Sequence, residues 1–466
     1  MESYSASIED KLIDGLSFKM DPAGASYISE RKFVTFHPQG SNVYNPSSGS
    51  KLIRISLQGQ NWLDPSTFRV AFDVVNEAVA TAAVSGGAAA TAPFLRPLSP
   101  WGMFRRVRLL CGSQLVEDID QYGRVHEMMN ILTATHSRAN EAVEGFGFNW
   151  EEHSTVAAKQ LYQGIAPLGL ATSKAGDNKQ TVMFKPLLGL LNQTKFLPLE
   201  YLQSLTIELE LVDKAEDAVV ATDGTIYPAG SNSLIWHLEN VQVKADIITL
   251  DNSVQESYHQ VLMTSKEIPI HYNTLNSQFQ TITNNPDPYI NVSRAATRLK
   301  TVFVTLDKDL TGTRATPGRK YWNDFYSPGS VNNRDPVTGF KHYGSDDFEI
   351  ALQIGSKCYP DGGPMRSHAE AYYQLRKAIG VQSSNVHSFD ISAKEYRDNR
   401  LIMAIDTEKS LGASFTGLNT RSGDLMTVKF KYKDTSDANR YADRMHIVLH
   451  TDNIMQIHLT GVTIYD

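Results

Sequence analysis

Apolar and polar residues alternate along many short segments of this 466-residue chain. In segment 205–212, for example, Leu205, Ile207 and Leu209 are separated by polar residues. Successive side chains of a β-strand point to opposite faces, so a period of two predicts strands with one buried face. Antiparallel sheets give this alternation, whereas buried parallel strands are apolar throughout. The clearest predicted strands are 52–58, 67–75, 203–212, 240–249, 298–306 and 425–433.

Helical periodicity is confined to a few segments. Apolar residues recur at the spacing of a helix face over 121–134 and again over 367–379, where Gly380 occupies the position of a helix-ending glycine. A third, short amphipathic helix is predicted over 7–16, with its apolar residues on one side. These residues are Ile8, Leu12, Ile13 and Leu16.

The order of predicted elements repeats along the chain. Each half has strands, then a helix, then a long strand entered by a Gly-Leu turn, then terminal strands, so that 189–212 corresponds to 416–432. The polar segment 251–262 lacks alternation and separates the halves. We therefore predict an all-β protein of two tandem antiparallel β-sandwiches, each with a short accessory helix. The predicted divisions are an N-terminal arm and lead-in (1–48), a first domain (49–252) and a second domain (253–466).

Composition excludes several classes of protein. The 44 Lys and Arg residues are outnumbered by 51 Asp and Glu residues, and the first fifty residues carry a net charge of −2. A basic arm that neutralises packaged nucleic acid is therefore not expected. The two cysteines, Cys111 and Cys358, lie far apart, which argues against a disulfide-stapled secreted scaffold. Neither a secretory signal nor an apolar run long enough to span a membrane is predicted.

Motifs that carry catalysis are missing or incomplete. His126 and Glu127 begin a zinc-binding HExxH pattern, but Asn130 stands where the second histidine is required. His446 and His450 occupy alternating strand positions that a metal could use, although paired strand edges explain them more simply. Glu208 and Glu210 share a strand face about 7 Å apart, a separation that a glycosidase could use, whereas a solvated or inter-subunit face is the commoner explanation. We predict no enzymatic activity, no cofactor and no metal.

A basic cluster lies just before a group of acids. Arg96, Arg105, Arg106 and Arg108 fall within thirteen residues, and no acid occurs between 78 and 116. Glu117, Asp118 and Asp120 follow at once. Two interpretations stay open: a basic patch that faces phosphates or an acidic neighbouring subunit, and ion pairs with the downstream acids. Arg105, Arg106 and Arg108 are therefore candidate inter-subunit contacts, together with the apolar residues of the arm.

Several segments resemble those of one viral family. Residues 27–76 and PLSPWGMFRRVRLLCGSQLVEDIDQYGRVHEM (97–128) resemble the first half of double jelly-roll major capsid proteins. CYPDGGPMRSHAEAYYQLRKAIG (358–380) and the segment 409–430 resemble the corresponding parts of the second half. The resemblance is to capsid proteins of virophages, polintons and polinton-like or adinto-type DNA viruses, within the lineage that includes adenovirus hexon.

The resemblance implies a double jelly roll, with eight antiparallel strands in each half. It also implies homotrimeric, pseudo-hexagonal capsomers that tile an icosahedral shell around double-stranded DNA. The implied partners are the chain itself, neighbouring capsomers, and penton and minor or cement capsid proteins. The implied location is the virion capsid, after synthesis inside the host cell. From the acidic charge balance we expect no strong direct binding of nucleic acid.

Two other functions remain open at this point. The first is a non-viral tandem β-sandwich that binds carbohydrate or serves in adhesion. The second is a β-sandwich hydrolase that uses Glu208 or Glu210, for which no partner motif is visible in the sequence.

Overall fold

A computed structural model of the chain describes the residues on which the following account is based. These are 28–47, 50–59, 61–77, 94–97, 99–141, 143–146, 168–169, 178–215, 218–221, 235–264, 267–308, 325–328, 348–380, 391–398, 400–408, 417–421, 424–433, 441–459 and 461–465.

The strands that precede residue 252 form antiparallel sheets among themselves. The larger sheet has the order β1 (Ile28–Phe36), β13 (Trp236–Leu250), β4 (Trp62–Asn76) and β10 (Leu197–Pro198), with β2 (Val43–Tyr44) on β13 and β9 (Lys179–Phe184) on β4. The smaller sheet has the order β3 (Leu52–Leu57), β11 (Leu205–Leu211), β6 (Phe104–Cys111) and β7 (Gln114–Ile119). A third sheet joins β12 (Val219–Ala221), β5 (Phe94–Pro97) and β8 (Leu168–Gly169).

The later strands repeat the two main sheets. The larger has the order β14 (Ile268–Thr281), β21 (Arg444–His458), β16 (Leu299–Asp307) and β19 (Ile402–Asp406), with β22 (Gly461–Tyr465) on β21. The smaller has the order β15 (Tyr289–Val292), β20 (Met426–Tyr432), β17 (Phe348–Ile354) and β18 (Lys357–Tyr359). We call the unit built from β1 to β13 the first roll and the unit built from β14 to β22 the second roll.

Each roll has the strand order of a jelly roll. The eight main strands are β1, β3, β4, β6, β7, β9, β11 and β13 in the first roll and β14 to β21 in the second. In both, the first strand pairs with the eighth, the eighth with the third and the third with the sixth. The second strand pairs with the seventh, the seventh with the fourth and the fourth with the fifth. This is the eight-stranded, two-sheet arrangement of a jelly roll, and the predicted all-β fold of two tandem jelly rolls is confirmed.

The predicted equivalence of two strands is also confirmed. Leu205–Leu211 and Met426–Tyr432 are the seventh strand of their respective rolls. Their apolar side chains point into the two cores as the period of two predicts. Burial alternates along Met426–Tyr432 and along most of Leu205–Leu211, where Glu208 is the exception because it is buried between flanking strands.

Helices connect and cover the strands. They are α1 (Tyr122–Ile131), α2 (Thr135–Glu141), α3 (Asn252–Met263), α4 (His368–Ala378) and α5 (Ala393–Asp398), and short 3-10 helices span Pro100–Met103, Leu190–Asn192 and Leu199–Leu202. Helices α1 and α4 confirm the two main helical predictions; each follows the β-hairpin formed by the fourth and fifth strands of its roll.

Helix α3 occupies the polar segment between the rolls, where no helix was predicted. It begins at Asp251, whose carboxylate accepts a hydrogen bond from the Ser253 N–H. Leu262 is its only residue classed as buried, so the sequence lacks the apolar stripe by which helices are recognised. The half-buried Tyr258 of this helix packs on the first roll, where its ring centre lies 4.9 Å from that of Trp62.

Candidate assembly surfaces and the junction between the rolls

Arg124 of helix α1 joins the first roll to the second. Its guanidinium donates hydrogen bonds to the carbonyl oxygen of Leu306 (2.7 Å) and to Oγ1 of Thr305 (3.3 Å), and lies 4.6 Å from the centre of the Phe325 ring. Arg124 is only 4% exposed. A buried charge is tolerated where hydrogen bonds and an aromatic face replace its water, so Arg124 fixes the position of α1 on the second roll.

Asp307 follows the strand residues that Arg124 contacts. Burial by itself would raise the pKa of this carboxyl group, but the neighbouring His446, Arg124 and Arg444 outweigh burial and lower the pKa to about 2. The imidazole of His446 is buried, and this burial lowers its pKa to about 4. The Asp307 carboxylate therefore stays ionised beside the arginine that enters from the first roll.

Glu117 forms a second connection across the junction. Its carboxylate accepts hydrogen bonds from the N–H groups of Gly189 (2.9 Å) and Leu190 (2.8 Å) in the first roll, and from the hydroxyl of Thr274 (3.1 Å) in the second. Burial raises the pKa of Glu117 to about 7, against these three hydrogen bonds, which lower it. The carboxyl group of Glu117 therefore changes charge near neutral pH at the contact between the two rolls.

The two rolls lie in close contact at Gly189. A Cβ atom at this position would lie 1.4 Å from the carbonyl oxygen of Asn273. Nearby, the Tyr272 hydroxyl donates to the carbonyl oxygen of Val116 (3.2 Å), and the Gln193 amide donates to that of His271 (3.0 Å). Strand β14 therefore lies along strand β7 and the 186–193 segment.

Three arginines of the basic cluster, Arg105, Arg106 and Arg108, form ion pairs, whereas the side chain of Arg96 lies outside the described residues. Arg106 binds Asp118 through two hydrogen bonds of 2.8 and 2.6 Å. Arg105 binds Asp213 (2.7 Å) and lies 3.6 Å from Asp120. Among the downstream acids, Asp118 and Asp120 therefore pair with this cluster, whereas Glu117 serves the junction instead. Of the two interpretations of the cluster, the geometry favours ion pairing over a free basic patch.

Glu208 is enclosed by arginines of the two flanking strands. It is 3% exposed, accepts from Arg54 (2.8 Å) and lies 2.9 Å from Arg108. Strand register places Arg54 and Arg108 directly opposite Glu208. This carboxylate is buried and already bound by two guanidinium groups, so its geometry gives no support to a hydrolase.

In the first roll, the histidine and the cysteine considered as possible chemical groups, His126 and Cys111, are both largely removed from water. His126 stacks on Trp101 with ring centres 4.2 Å apart, and burial lowers its pKa to about 3. Burial also raises the pKa of Cys111 to about 12, so its thiol stays protonated. Among the side chains that the structure describes, no group of three or more His, Cys, Asp or Glu could hold a metal ion. No helix in the described ranges is long and apolar enough to cross a membrane.

The first strands of the two rolls differ in burial. Strand β14 is buried along its middle by the first roll, whereas the first six residues of β1 are all exposed. Phe33 of β1 is 66% exposed and Ile28 is 42% exposed. In the second roll, Cys358 of the β17–β18 hairpin and Tyr373 of α4 are exposed as well. These exposed surfaces are the candidate assembly surfaces.

The predicted site residues have different outcomes. Arg105, Arg106 and Arg108 lie on the smaller sheet of the first roll, in the ion pairs given above. Ile8, Leu12, Ile13 and Leu16 lie outside the described residues. Sequence reasoning did not identify Arg124 and Glu117 as junction residues. Each is a charged residue next to apolar ones, in GRVHEMM for Arg124 and in LVEDI for Glu117, but other polar residues stand in both segments, so the sequence did not single either out.

Solved structures of viral capsid proteins share this fold over nearly the whole chain. The Faustovirus major capsid protein has a TM-score of 0.58 at 10% identity, covering 95% of this chain and 93% of that chain. A chain of the Sputnik virophage cryo-EM structure has a TM-score of 0.57 at 11% identity, covering 96% and 91%. VP54 of PBCV-1, fitted into a reconstruction of the virophage Sputnik, has a TM-score of 0.54 at 13% identity, covering 96% and 98%.

At these identities the similarity establishes the fold. The resemblance to double jelly-roll major capsid proteins is thus confirmed at the level of architecture. No family model and no curated protein matches the sequence.

Proposed function

We propose that this chain is a major capsid protein that forms the icosahedral shell of a double-stranded DNA virus. The proposed building block is a homotrimer, whose six jelly rolls make a near-hexagonal tile, and the proposed location is the virion. The observation that carries this proposal is the junction between the two rolls. The first roll also has a strand, β1, equivalent to the second roll's side of the junction, and the second roll has a hairpin and helix equivalent to the first roll's side, so the same contact could form between two copies.

One side of the junction comes from the first roll. It consists of the β6–β7 hairpin and helix α1, which supply Val116, Glu117 and Arg124. The equivalent elements of the second roll are the β17–β18 hairpin and helix α4, because both hairpins join the fourth and fifth strands. The two hairpin turns also match: Gly112-Ser113 and Gly355-Ser356 begin with a glycine at φ +58°.

The other side of the junction is strand β14 of the second roll. Its equivalent in the first roll is β1, since both are the first strand and lie at the edge of the larger sheet. Strand β1 carries the exposed Phe33 and Ile28. If β1 of one copy packs on the β17–β18 hairpin and α4 of the next, the contact within the chain is repeated between chains. Where the rotation between successive copies is threefold, a head-to-tail contact of this kind closes into a ring of three copies and six rolls.

This arrangement makes neighbouring copies the first partners of the chain. Neighbouring capsomers, together with penton and minor or cement capsid proteins, are further proposed partners at the outer surfaces of the ring. The proposed domains are the segments 49–252 and 253–466, with 1–48 as arm and lead-in. Strand β1 lies within that lead-in and completes the larger sheet of the first roll.

The test is the mass and shape of the purified protein. Mass photometry should give particles of three chain masses, and negative-stain microscopy should show flat triangular or hexagonal particles. Phe33→Glu should shift the population to single chains, because a charge would be buried in the contact between copies. Met263→Glu changes another exposed apolar residue, 63% exposed on helix α3, and should leave the trimer intact. Single chains in the unmodified protein at micromolar concentration would refute the proposal.

A further inference from the structure

The outward faces of the two smaller sheets have opposite charges at equivalent positions. Strands β11 and β20 are the seventh strands of their rolls, and their residues align one to one. Glu208 corresponds to Lys429 and Glu210 to Lys431. The neighbouring strand of each sheet shows the same reversal of charge. In the first roll Arg106 lies opposite Glu210, whereas in the second Glu349 lies opposite Lys431. At equivalent positions of the two rolls, acidic residues of the first roll are therefore replaced by basic residues in the second, and the reverse.

The first of these faces is balanced within the chain, and the second is not. Glu208 lies between Arg54 and Arg108, as described above. On the second roll, Glu349 contacts both Lys433 and Arg366, the latter at 3.6 Å. Lys429 lies 5.7 Å from the centre of the Tyr289 ring. Together with Lys431, which lies opposite Glu349, these side chains make four basic groups around one Glu349 carboxylate, so this face attracts an acidic partner.

Exposed apolar groups accompany the lysines. Tyr289 is 62% exposed and Leu425 is 60% exposed. Both have the strand parity of the outward residues, since Tyr289 lies opposite Lys429 and Leu425 is two residues before Thr427. We define the lysine face as Tyr289, Leu425, Lys429, Lys431 and Lys433. It matches a partner that combines acidic and apolar residues.

The segment before strand β1 has this composition. Residues 1–27 contain five acids and two lysines, a net charge of −3. The acids are Glu2, Glu9, Asp10, Asp14 and Asp21. The predicted amphipathic stripe of Ile8, Leu12, Ile13 and Leu16 lies among them.

The proposed contact between copies brings this segment to the lysine face. In the junction within the chain, Tyr272 contacts Val116 and the later Ser277 contacts Asp120, so β14 begins on the side of the hairpin turn. By equivalence, β1 begins beside the Gly355-Ser356 turn of the neighbouring copy. The N–H of Gly355 donates to the carbonyl oxygen of Leu425 (3.2 Å), which places this turn at the Leu425 end of the lysine face.

We propose that residues 1–27 of one copy dock on the lysine face of the neighbouring copy, with their acids on the lysines and their apolar stripe on Tyr289 and Leu425. This inference rests on the proposed function and specifies which surface the segment preceding β1 holds. The segment thereby links adjacent copies by charge and by apolar contact.

The first test measures binding of a fluorescein-labelled peptide of residues 1–25 to the chain that lacks those residues. Fluorescence anisotropy should show binding that weakens at least tenfold when Lys429→Glu and Lys431→Glu are combined, and that weakens similarly at high salt. The matched control combines Lys195→Glu and Lys214→Glu, which make the same charge change at exposed positions of the first roll and should leave binding unchanged. Equal binding by the two double variants would refute the inference.

The second test asks which copy supplies the segment. Full-length chains of two isotopic compositions are mixed before assembly and treated with a zero-length carbodiimide cross-linker. Cross-links from Lys429 or Lys431 to acids of residues 1–27 should include pairs of mixed isotope. Cross-links within single chains alone would overturn docking between copies. Trimers that form without peptide binding would refute this inference and leave the proposed function intact, whereas an absence of trimers would refute the proposed function.

Discussion

At the scale of single residues, buried histidines should make folding stability depend on pH. Burial lowers the pKa of His126 to about 3 and the pKa of His368, His446 and His450 to about 4. An unfolded histidine titrates near 6.5, so below that pH the unfolded chain gains protons that the folded chain does not bind. The free energy of unfolding therefore falls as pH falls from 6.5 towards 4.

The His126→Phe variant should reduce this dependence. One buried histidine accounts for about 1 kcal/mol of the stability lost between pH 7.5 and 5.5. Urea unfolding at both pH values measures the loss, and the variant should lose about that much less than the unmodified protein. His37→Phe, at an exposed position, is the matched control. An identical pH dependence of the His126→Phe variant and the unmodified protein would contradict the expectation.

Glu117 should act in the opposite direction. Burial raises its pKa to about 7, above its ordinary value of 4.5, so the folded chain binds a proton that the unfolded chain releases. The contribution of this group to the free energy of unfolding is fully present below pH 4.5 and is lost as pH rises towards 7. The unfolding free energy of Glu117→Gln, measured relative to the unmodified protein, should rise by about 2 kcal/mol between pH 5 and 8. A difference that is constant with pH would show that Glu117 does not titrate there.

At the scale of elements, Gly189 should determine how closely the rolls pack. A Cβ atom there would lie 1.4 Å from the backbone oxygen of Asn273, and a backbone oxygen cannot move aside as a flexible side chain can. Gly189→Ala should therefore separate the 186–193 segment from β14 and destabilise the chain by about 2 kcal/mol or more, within the range for overpacked sites. Gly362→Ala, where a Cβ atom would meet nothing within 4 Å, is the control. Urea unfolding of both variants measures the difference, and equal stability would refute the role of Gly189.

At the scale of the whole molecule, charge should limit contact with DNA. The chain carries a net charge of −7, and Arg105, Arg106 and Arg108 are engaged with carboxylates. Binding of purified protein to a short DNA duplex at physiological salt should therefore be weak, and should fall steeply as salt rises. Fluorescence anisotropy with and without residues 1–25 is the measurement. Tight binding that disappears when residues 1–25 are removed would contradict both this expectation and docking of the acidic segment on lysines.

The sequence by itself determined the strands, their inward faces, two main helices and the tandem arrangement. These features depend on local periodicity: the side-chain period of two in strands and the spacing of apolar residues in α1 and α4. Helix α3 was missed for the same reason, since a helix that buries only Leu262 leaves little apolar pattern.

Only the tertiary structure decided which charged groups meet. Arg54 and Glu208 are 154 residues apart in the chain, and Arg124 and Leu306 are 182 apart, so no local pattern connects them. Their contacts depend on the register of strands and on the packing of one roll against the other. The same holds for the pKa of Glu117, because its rise comes from burial at the junction between the rolls. Periodicity shows which side of a strand is buried, but the partner that buries it is set by the assembled fold.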